Sequence, residues 1–503
     1  MNKLWTKIHS FLHKYEPPGW VLTVLFIVLI LRIPSFFEPY YYGDEMVYLT
    51  LGQGIRQGIP LYSGLYDNKP PLIYILAAIS GNLFWFKAIL AFWALATTII
   101  FWKLSEALFP KRQNLHKVAT LVFALSTTIP LFEGNIVNAE LFIIGPTMLA
   151  FLLLLSKNLS PKNLIISGFL FSISALFKIP AIFDIPVIIF YWILTSNLQK
   201  EKLKEVFKNS LYLATGFAVP IALTFIWYLA RGAFKEYFVA AYLQNIGYLS
   251  SFRPGDIQKT FLVRNGPLLV RAVVVAIGIV ILYLKRNKIS KHFVFISLWL
   301  IFSLFAATLS ERPYPHYLIQ VIPAVSLFFA ILFTDKTIEQ SLTVIPLALF
   351  FFVPVYFKFY YYPSVPYYLR FINFSLGKIN QAQYFNQFDG NTIRNYKIAK
   401  FLLMSSKKEE KIFVWGDSPV IYALTRKLPP VKYVAAYHIV DYSSTKSLAI
   451  ELSTKNPAFI ILLPDAPAFP EVFQVLKNNR YILIETIDRA QIWKLAPGST
   501  TQR

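Results

Sequence analysis

Cysteine is absent from the 503 residues of the chain. With it go disulfides, thiolate metal sites and thiol nucleophiles. Charge is scarce as well: Asp, Glu, Lys and Arg make up 15% of the residues, against about 25% in an average soluble domain, which excludes an ordinary soluble enzyme. Acids are the rarer sign, 26 Asp+Glu against 49 Lys+Arg, leaving a formal net charge of +23. Two readings of that excess compete, a nucleic-acid partner or cytoplasmic loops biased positive, and the positions of the charges decide between them. Internal repeats, low-complexity tracts and a Gly-rich loop that could cradle phosphate are also missing. Gly416 stands alone after a short apolar run and reads as a turn residue.

What is abundant is apolar surface. Hydrophobic residues make up 56% of the chain and aromatics 17%, and the mean hydropathy is +0.51. That is more than one globular core needs, so lipid must cover it. The first apolar run, Trp20 to Phe37, follows Lys3, Lys7 and Lys14 with no small-residue cleavage site behind it, and reads as an uncleaved anchor. Runs of about 17 to 25 residues recur near 86–108, 117–133, 138–156, 163–178, 180–196, 209–230, 266–284, 292–309, 316–333 and 341–360. The pattern predicts a polytopic α-helical membrane protein with about 11 transmembrane helices.

With a cytoplasmic N-terminus, the inner loops hold Lys111, Arg112 and Lys117; Lys157 and Lys162; Lys200, Lys202, Lys204 and Lys208; and Lys285, Arg286, Lys288 and Lys291. The positive-inside rule is met in nearly all of them; only the loop with Asp335, Lys336 and Glu339 does not help. Topology therefore explains most of the basic excess, and a nucleic-acid partner loses its support. An odd number of spans puts everything after Tyr360 outside the cell membrane. That remainder, 361–503, changes character. Short apolar runs at Lys411 to Trp415, Ala458 to Leu463 and Tyr481 to Glu485 alternate with helix-like stretches near 393–404, 420–425 and 470–478. The alternation predicts a soluble extracytoplasmic α/β domain with a largely parallel sheet, joined through a Pro-rich linker at Tyr361 to Pro366. Residues 1–360 would form the transmembrane domain. The outer segments Glu38 to Pro71 and Arg231 to Arg264 are too long for turns. Their aromatic spacing, as in Phe234, Tyr237, Phe238, Ala241 and Tyr242, suits helices lying in the interface.

The polar groups gather at the outer boundary. Asp44 and Glu45 follow the first span closely, where acids are costly unless they act or find a cation; water or a helix cap would serve them equally. Lys69 stands with Asp67 and Asn68 before Pro70 and Pro71, whose fixed backbone presents the lysine rigidly. Glu133, Asn135, Asn138 and Glu140 form a second group, and Glu140 also suits the start of a helix. Lys178 sits at an outer turn, where snorkelling is an alternative. The loop SERPYPHY, Ser310 to Tyr317, packs Glu311, Arg312, Tyr314, His316 and Tyr317 between two apolar runs. Its aromatics suit an interfacial belt, whereas Arg312 and His316 suit a phosphate. Together these residues suggest transfer of a sugar from a polyprenyl phosphate. Lys69 and Arg312 would stabilise the leaving phosphate and Asp44 would act as base.

The Asp44-Glu45 pair, the NKPPL of Asn68 to Leu72, Glu140 at its helix start, ERPYPHY, and the segment Val414 to Pro430 (VWGDSPVIYALTRKLPP) resemble polyprenyl-phosphate-dependent glycosyltransferases of the GT-C fold. The nearest branch is similar to the ArnT-type aminoarabinose transferases and the protein O-mannosyltransferases. The resemblance implies a GT-C membrane domain and a lipid-linked sugar donor. The acceptor it implies is a lipid, glycan or protein. It casts Asp44, Glu45 and Glu140 as catalytic and Lys69, Arg312, Tyr314 and His316 as contacts of the donor phosphate. Asn245 and Tyr248 resemble a recurrent NxxY-like segment and, with Lys178, are candidates to line the site. Some GT-C enzymes use a divalent metal and others do not, so no cofactor follows. A transporter or lipid-linked sugar flippase is the alternative; it requires ionisable residues near the bilayer midplane, for which Asp184 is the one candidate. A non-catalytic assembly factor would leave Asp44, Lys69 and Arg312 without a task.

Overall fold

The computed structural model describes residues 17–155, 159–196, 198–247 and 260–497. Each apolar run read from the sequence contains helix. Among the described residues, six helical segments, at 19–37, 83–108, 200–230, 261–285, 291–308 and 338–356, are long and apolar enough to cross a membrane. Ala139–Leu154, Pro161–Phe177, Ile179–Thr195 and Ile322–Thr334 are apolar but shorter. Two of the shorter helices are packed inside: Ile322–Thr334 buries most of its residues, and Ala139–Leu154 is buried almost all round, as a helix with no polar face must be. By contrast Phe261–Lys285 buries Leu282 alone, leaving its apolar surface for lipid. Without water, helix association depends on close packing of small residues. Gly168 and Gly216 supply it, since a Cβ on Gly168 would stand 2.0 Å from the Leu213 carbonyl oxygen and one on Gly216 2.0 Å from that of Ile165.

The loop after the first span forms the helix Gly43–Arg56, with Asp44 and Glu45 in its first turn, where carboxylates meet the positive end of the helix dipole. The second long loop forms Phe234–Phe238, a wider turn at Val239–Leu243 and the short helix Gln244–Gly247. Its apolar face differs from the interfacial expectation. Tyr237 is buried and stacks on Tyr228 at 4.1 Å and against Tyr62 at 5.2 Å, so the loop closes over the first one.

The C-terminal domain is α/β as expected, but its sheet is mixed. Strands β1 (Ile412–Trp415), β2 (Phe459–Leu462), β3 (Tyr481–Ile487) and β4 (Ala490–Leu495) lie in the order β1-β2-β4-β3. Only the β1/β2 pair is parallel. The fourth strand, AQIWKL, is interrupted by Gln491 and Lys494 and so forms no apolar run. It returns from β3 through Asp488 and Arg489, both at positive φ, as a two-residue hairpin requires. Gly416, at φ +144, lets the chain leave β1 beside Leu463. The linker is shorter than expected, because helix resumes at Ser364–Ser375. That helix packs back on the first span, with Phe371 5.3 Å from Phe37 and the Tyr368 hydroxyl donating to the Leu31 carbonyl.

Candidate functional site

A cavity of about 890 Å3 lies between the helices and the C-terminal domain. The residues singled out in the sequence converge on it. Asp44, Lys69 and Glu140 line it, as do Arg312, Tyr314 and His316, and so do Lys178 and Asn245. Tyr248 lies outside the described residues. Glu45 does not line the cavity. Its side chain is turned into a fully buried cluster, where Lys87 Nζ stands 2.7 Å from Glu45 and 2.8 Å from Glu38. Glu45 also accepts from the Val137 amide, and Lys87 donates to the Asn135 carbonyl. Neighbours on a helix point about 100° apart, so adjacent acids reach different surroundings.

One side of the cavity is built around Lys69. Its backbone is pinned twice, the carbonyl accepting from the Tyr62 hydroxyl and the amide donating to that of Tyr74. Its ammonium stands 3.5 Å from Asp44 and 3.8 Å from Asp67. Tyr48, one turn after Asp44, donates to it at 3.0 Å. The Asp44 side chain keeps 31% of its surface open, so a bound molecule can reach it. Burial opposes its ionisation, but Lys69 and His316 outweigh that and hold the carboxyl below its usual range. Asp67 is buried; Lys69 and His438 overcome its burial and keep it well below the same range.

The other side is a network through His316. Its Nδ1 bonds Glu133 and its Nε2 lies 3.7 Å from Glu140. Tyr42 and Asn138 donate to Glu133 as well. Lys178 pairs with Glu140 and places its ammonium 4.0 Å over the Tyr317 ring, a cation–π contact in place of snorkelling. The Tyr314 ring stacks on that of His316, while Arg312 is exposed at the rim. Beside these polar groups, Ile179, Phe183, Leu268, Phe305 and Leu309 give the same cavity an apolar wall. Among the described residues no group of three or more His, Cys, Asp or Glu is placed to hold a metal ion.

Sequence reasoning missed the contribution of the C-terminal domain. Asp417, Tyr437, His438, Asp441 and Tyr442 also line the cavity, and His438 Nε2 lies 3.3 Å from Asp67. A signal was available, since His438, Asp441 and Tyr442 are spaced i, i+3, i+4 on the helix Ala436–Tyr442 and so share one face.

The apolar helices and the C-terminal α/β domain together have a GT-C-type fold. The chain overlays ArnT from Cupriavidus metallidurans in its apo crystal structure with a TM-score of 0.58 at 12% identity, covering 96% of this chain and 99% of that one. The crystal structure of the same protein bound to undecaprenyl phosphate gives a TM-score of 0.56, with the same identity and coverage. At that identity the likeness is one of fold. No family model matches the sequence, and no curated protein matches it.

Proposed function

We propose that this protein is an inverting glycosyltransferase that moves a sugar from a polyprenyl-phosphate-linked donor to an acceptor hydroxyl at the outer face of the cytoplasmic membrane. The N-terminus is cytoplasmic and the C-terminal domain extracytoplasmic. One observation carries this reading: a single cavity joins an apolar wall to cations and a part-exposed carboxylate. A lipid tail, a phosphate and a reacting hydroxyl need those three surfaces. The undecaprenyl phosphate bound by ArnT, a protein of the same fold, supports the choice of donor.

In this reading the acceptor oxygen attacks the anomeric carbon, the bond from that carbon to the phosphate oxygen breaks, and the polyprenyl phosphate leaves as an anion. The acceptor proton passes to Asp44. Displacement in one step inverts the anomeric centre. Lys69 and Arg312, with Tyr314 and His316, stabilise charge on the departing phosphate. Glu140 faces the cavity as a carboxylate already engaged by Lys178 and His316, which suits orientation of those groups. Glu45 acts from behind, tying the start of the Asp44 helix to Lys87. The acceptor is a lipid, glycan or protein.

Lys69→Ala in the full-length protein tests the phosphate assignment. Hydrogen bonds to charged groups contribute about 1.5–3 kcal/mol, so undecaprenyl phosphate should bind roughly 10- to 100-fold more weakly. Native mass spectrometry or a fluorescence titration in nanodiscs reads this directly. An unchanged Kd together with altered acceptor use would move the phosphate elsewhere.

The base assignment predicts a pH profile. A carboxyl held below its usual range is deprotonated throughout neutral and mildly acidic conditions, and it accepts a proton only as the pH falls through its lowered pKa. The transfer rate should stay flat on the acid side until below the ordinary aspartate range. A midpoint near neutrality would implicate another base.

A further inference from the structure

We propose that His438 is a positioning residue for the donor-phosphate lysine: through Asp67, the C-terminal domain sets where Lys69 stands. The inference rests on the donor chemistry proposed above. Three consecutive residues of the first loop, Tyr66 to Asn68, are held by that domain. The Tyr66 amide donates to the Lys432 carbonyl at 2.8 Å, and the Tyr66 ring packs against Tyr433, His438 and Tyr442 at 5.2 to 5.6 Å. Asp67 meets His438 at 3.3 Å. The Asn68 amide group reaches the Tyr442 hydroxyl at 3.3 Å, and its carbonyl accepts from Asn245. Lys69 follows, its backbone locked by Tyr62 and Tyr74.

The consequence is electrostatic. The Asp67 and His438 side chains are each 3% exposed, and a buried carboxylate has to be compensated by whatever positive or donating groups it can reach. Its backbone partner is the Asn68 amide; its side-chain partners are His438 and Lys69, with the Tyr74 hydroxyl as a neutral donor. His438 Nε2 carries the hydrogen that faces Asp67, while Nδ1 has no hydrogen-bond partner among the described residues. With His438 in place, Asp67 is satisfied on one oxygen, and Lys69 stays 3.8 Å from the other, shared with Asp44 at 3.5 Å. Without it, Lys69 becomes the main compensation for Asp67, is drawn toward that carboxylate and is lost to a ligand phosphate. A domain outside the helices thus completes a site whose cation comes from the first loop.

The experiment uses the full-length protein in nanodiscs, with undecaprenyl phosphate as the probe. His438→Ala should weaken binding about tenfold, by analogy with losing a hydrogen bond to a charged group. His438→Gln, which retains an N–H donor near the same place, should remain within about threefold of wild type. In an Asp67→Asn background, where the Asp67 charge no longer competes for Lys69 and only Asp44 remains beside it, His438→Ala should cost nothing further. A role in folding alone would lower binding equally in both backgrounds and would leave Gln no better than Ala; either result overturns the inference, as does wild-type affinity in His438→Ala. The thermal midpoint of each variant separates misfolding from repositioning, and the Gln variant keeps the test open should His438→Ala fail to fold. If wild type itself does not bind the probe, the donor reading fails first and takes this inference with it.

Discussion

Asp44→Asn should lower sugar transfer by about 10²–10⁴-fold, the usual contribution of a positioned general base, while undecaprenyl phosphate still binds. The substitution is close to isosteric. Its amide oxygen can still accept from the Tyr48 hydroxyl, which donates to Asp44 at 3.0 Å, so the first turn of the helix keeps its geometry. What is lost is the ability to take a proton, together with the 3.5 Å ion pair to Lys69. Losing that pair frees the ammonium for the phosphate, so donor affinity should hold or rise. The informative measurement is the split: single-turnover transfer from a purified lipid-linked donor beside a binding isotherm for undecaprenyl phosphate. Full transfer activity would remove Asp44 from the role of base. A parallel loss of binding would make it a structural partner of Lys69.

Lys87→Met should destabilise the protein by about 3–5 kcal/mol, the cost of leaving buried charge without its partner. Lys87 stands between two carboxylates, Glu38 and Glu45, with no exposed side-chain surface on any of the three. The cluster also holds Asn135 and Tyr367, both of which donate to Glu38, so it ties the first span's end, the Asp44 helix and the segment around Asn135 to the Ser364–Ser375 helix. The methionine preserves volume while abandoning two acids. Adding Glu38→Gln and Glu45→Gln should therefore recover most of the loss, because the penalty belongs to the charges. Thermal unfolding in detergent reads both steps. An unchanged midpoint in Lys87→Met would show that the cluster is not an ion-paired one.

The two acids of the first loop show how much of the site was legible in advance. Asp44 and Glu45 are adjacent, equally acidic and equally close to lipid, and nothing in their local pattern separates them. Their separation comes from the helix, which points one at the cavity and the other at Lys87. Lys69 was legible because two prolines restrict its backbone, whereas its partners Tyr62 and Tyr74 carry no local mark of that duty. Lys178 illustrates a different gap. At a span end it reads as a snorkelling cation, and only the approach of another helix brings Glu140 to it. Of the β3–β4 hairpin only β3 was legible, because Gln491 and Lys494 interrupt AQIWKL and leave β4 no apolar run.

The sequence by itself determined the apolar character of this protein, the placing of its apolar helices, the change to an α/β fold near the C-terminus and most of the polar residues that meet at one cavity. Those properties are sums over local composition and period, so they survive without coordinates. Tertiary structure alone decided which acid faces the cavity, which cation each acid meets, and that His438 reaches Asp67. These are contacts between residues far apart in the chain, and their energies depend on distances of a few ångströms and on the exclusion of water, neither of which is encoded in any local window.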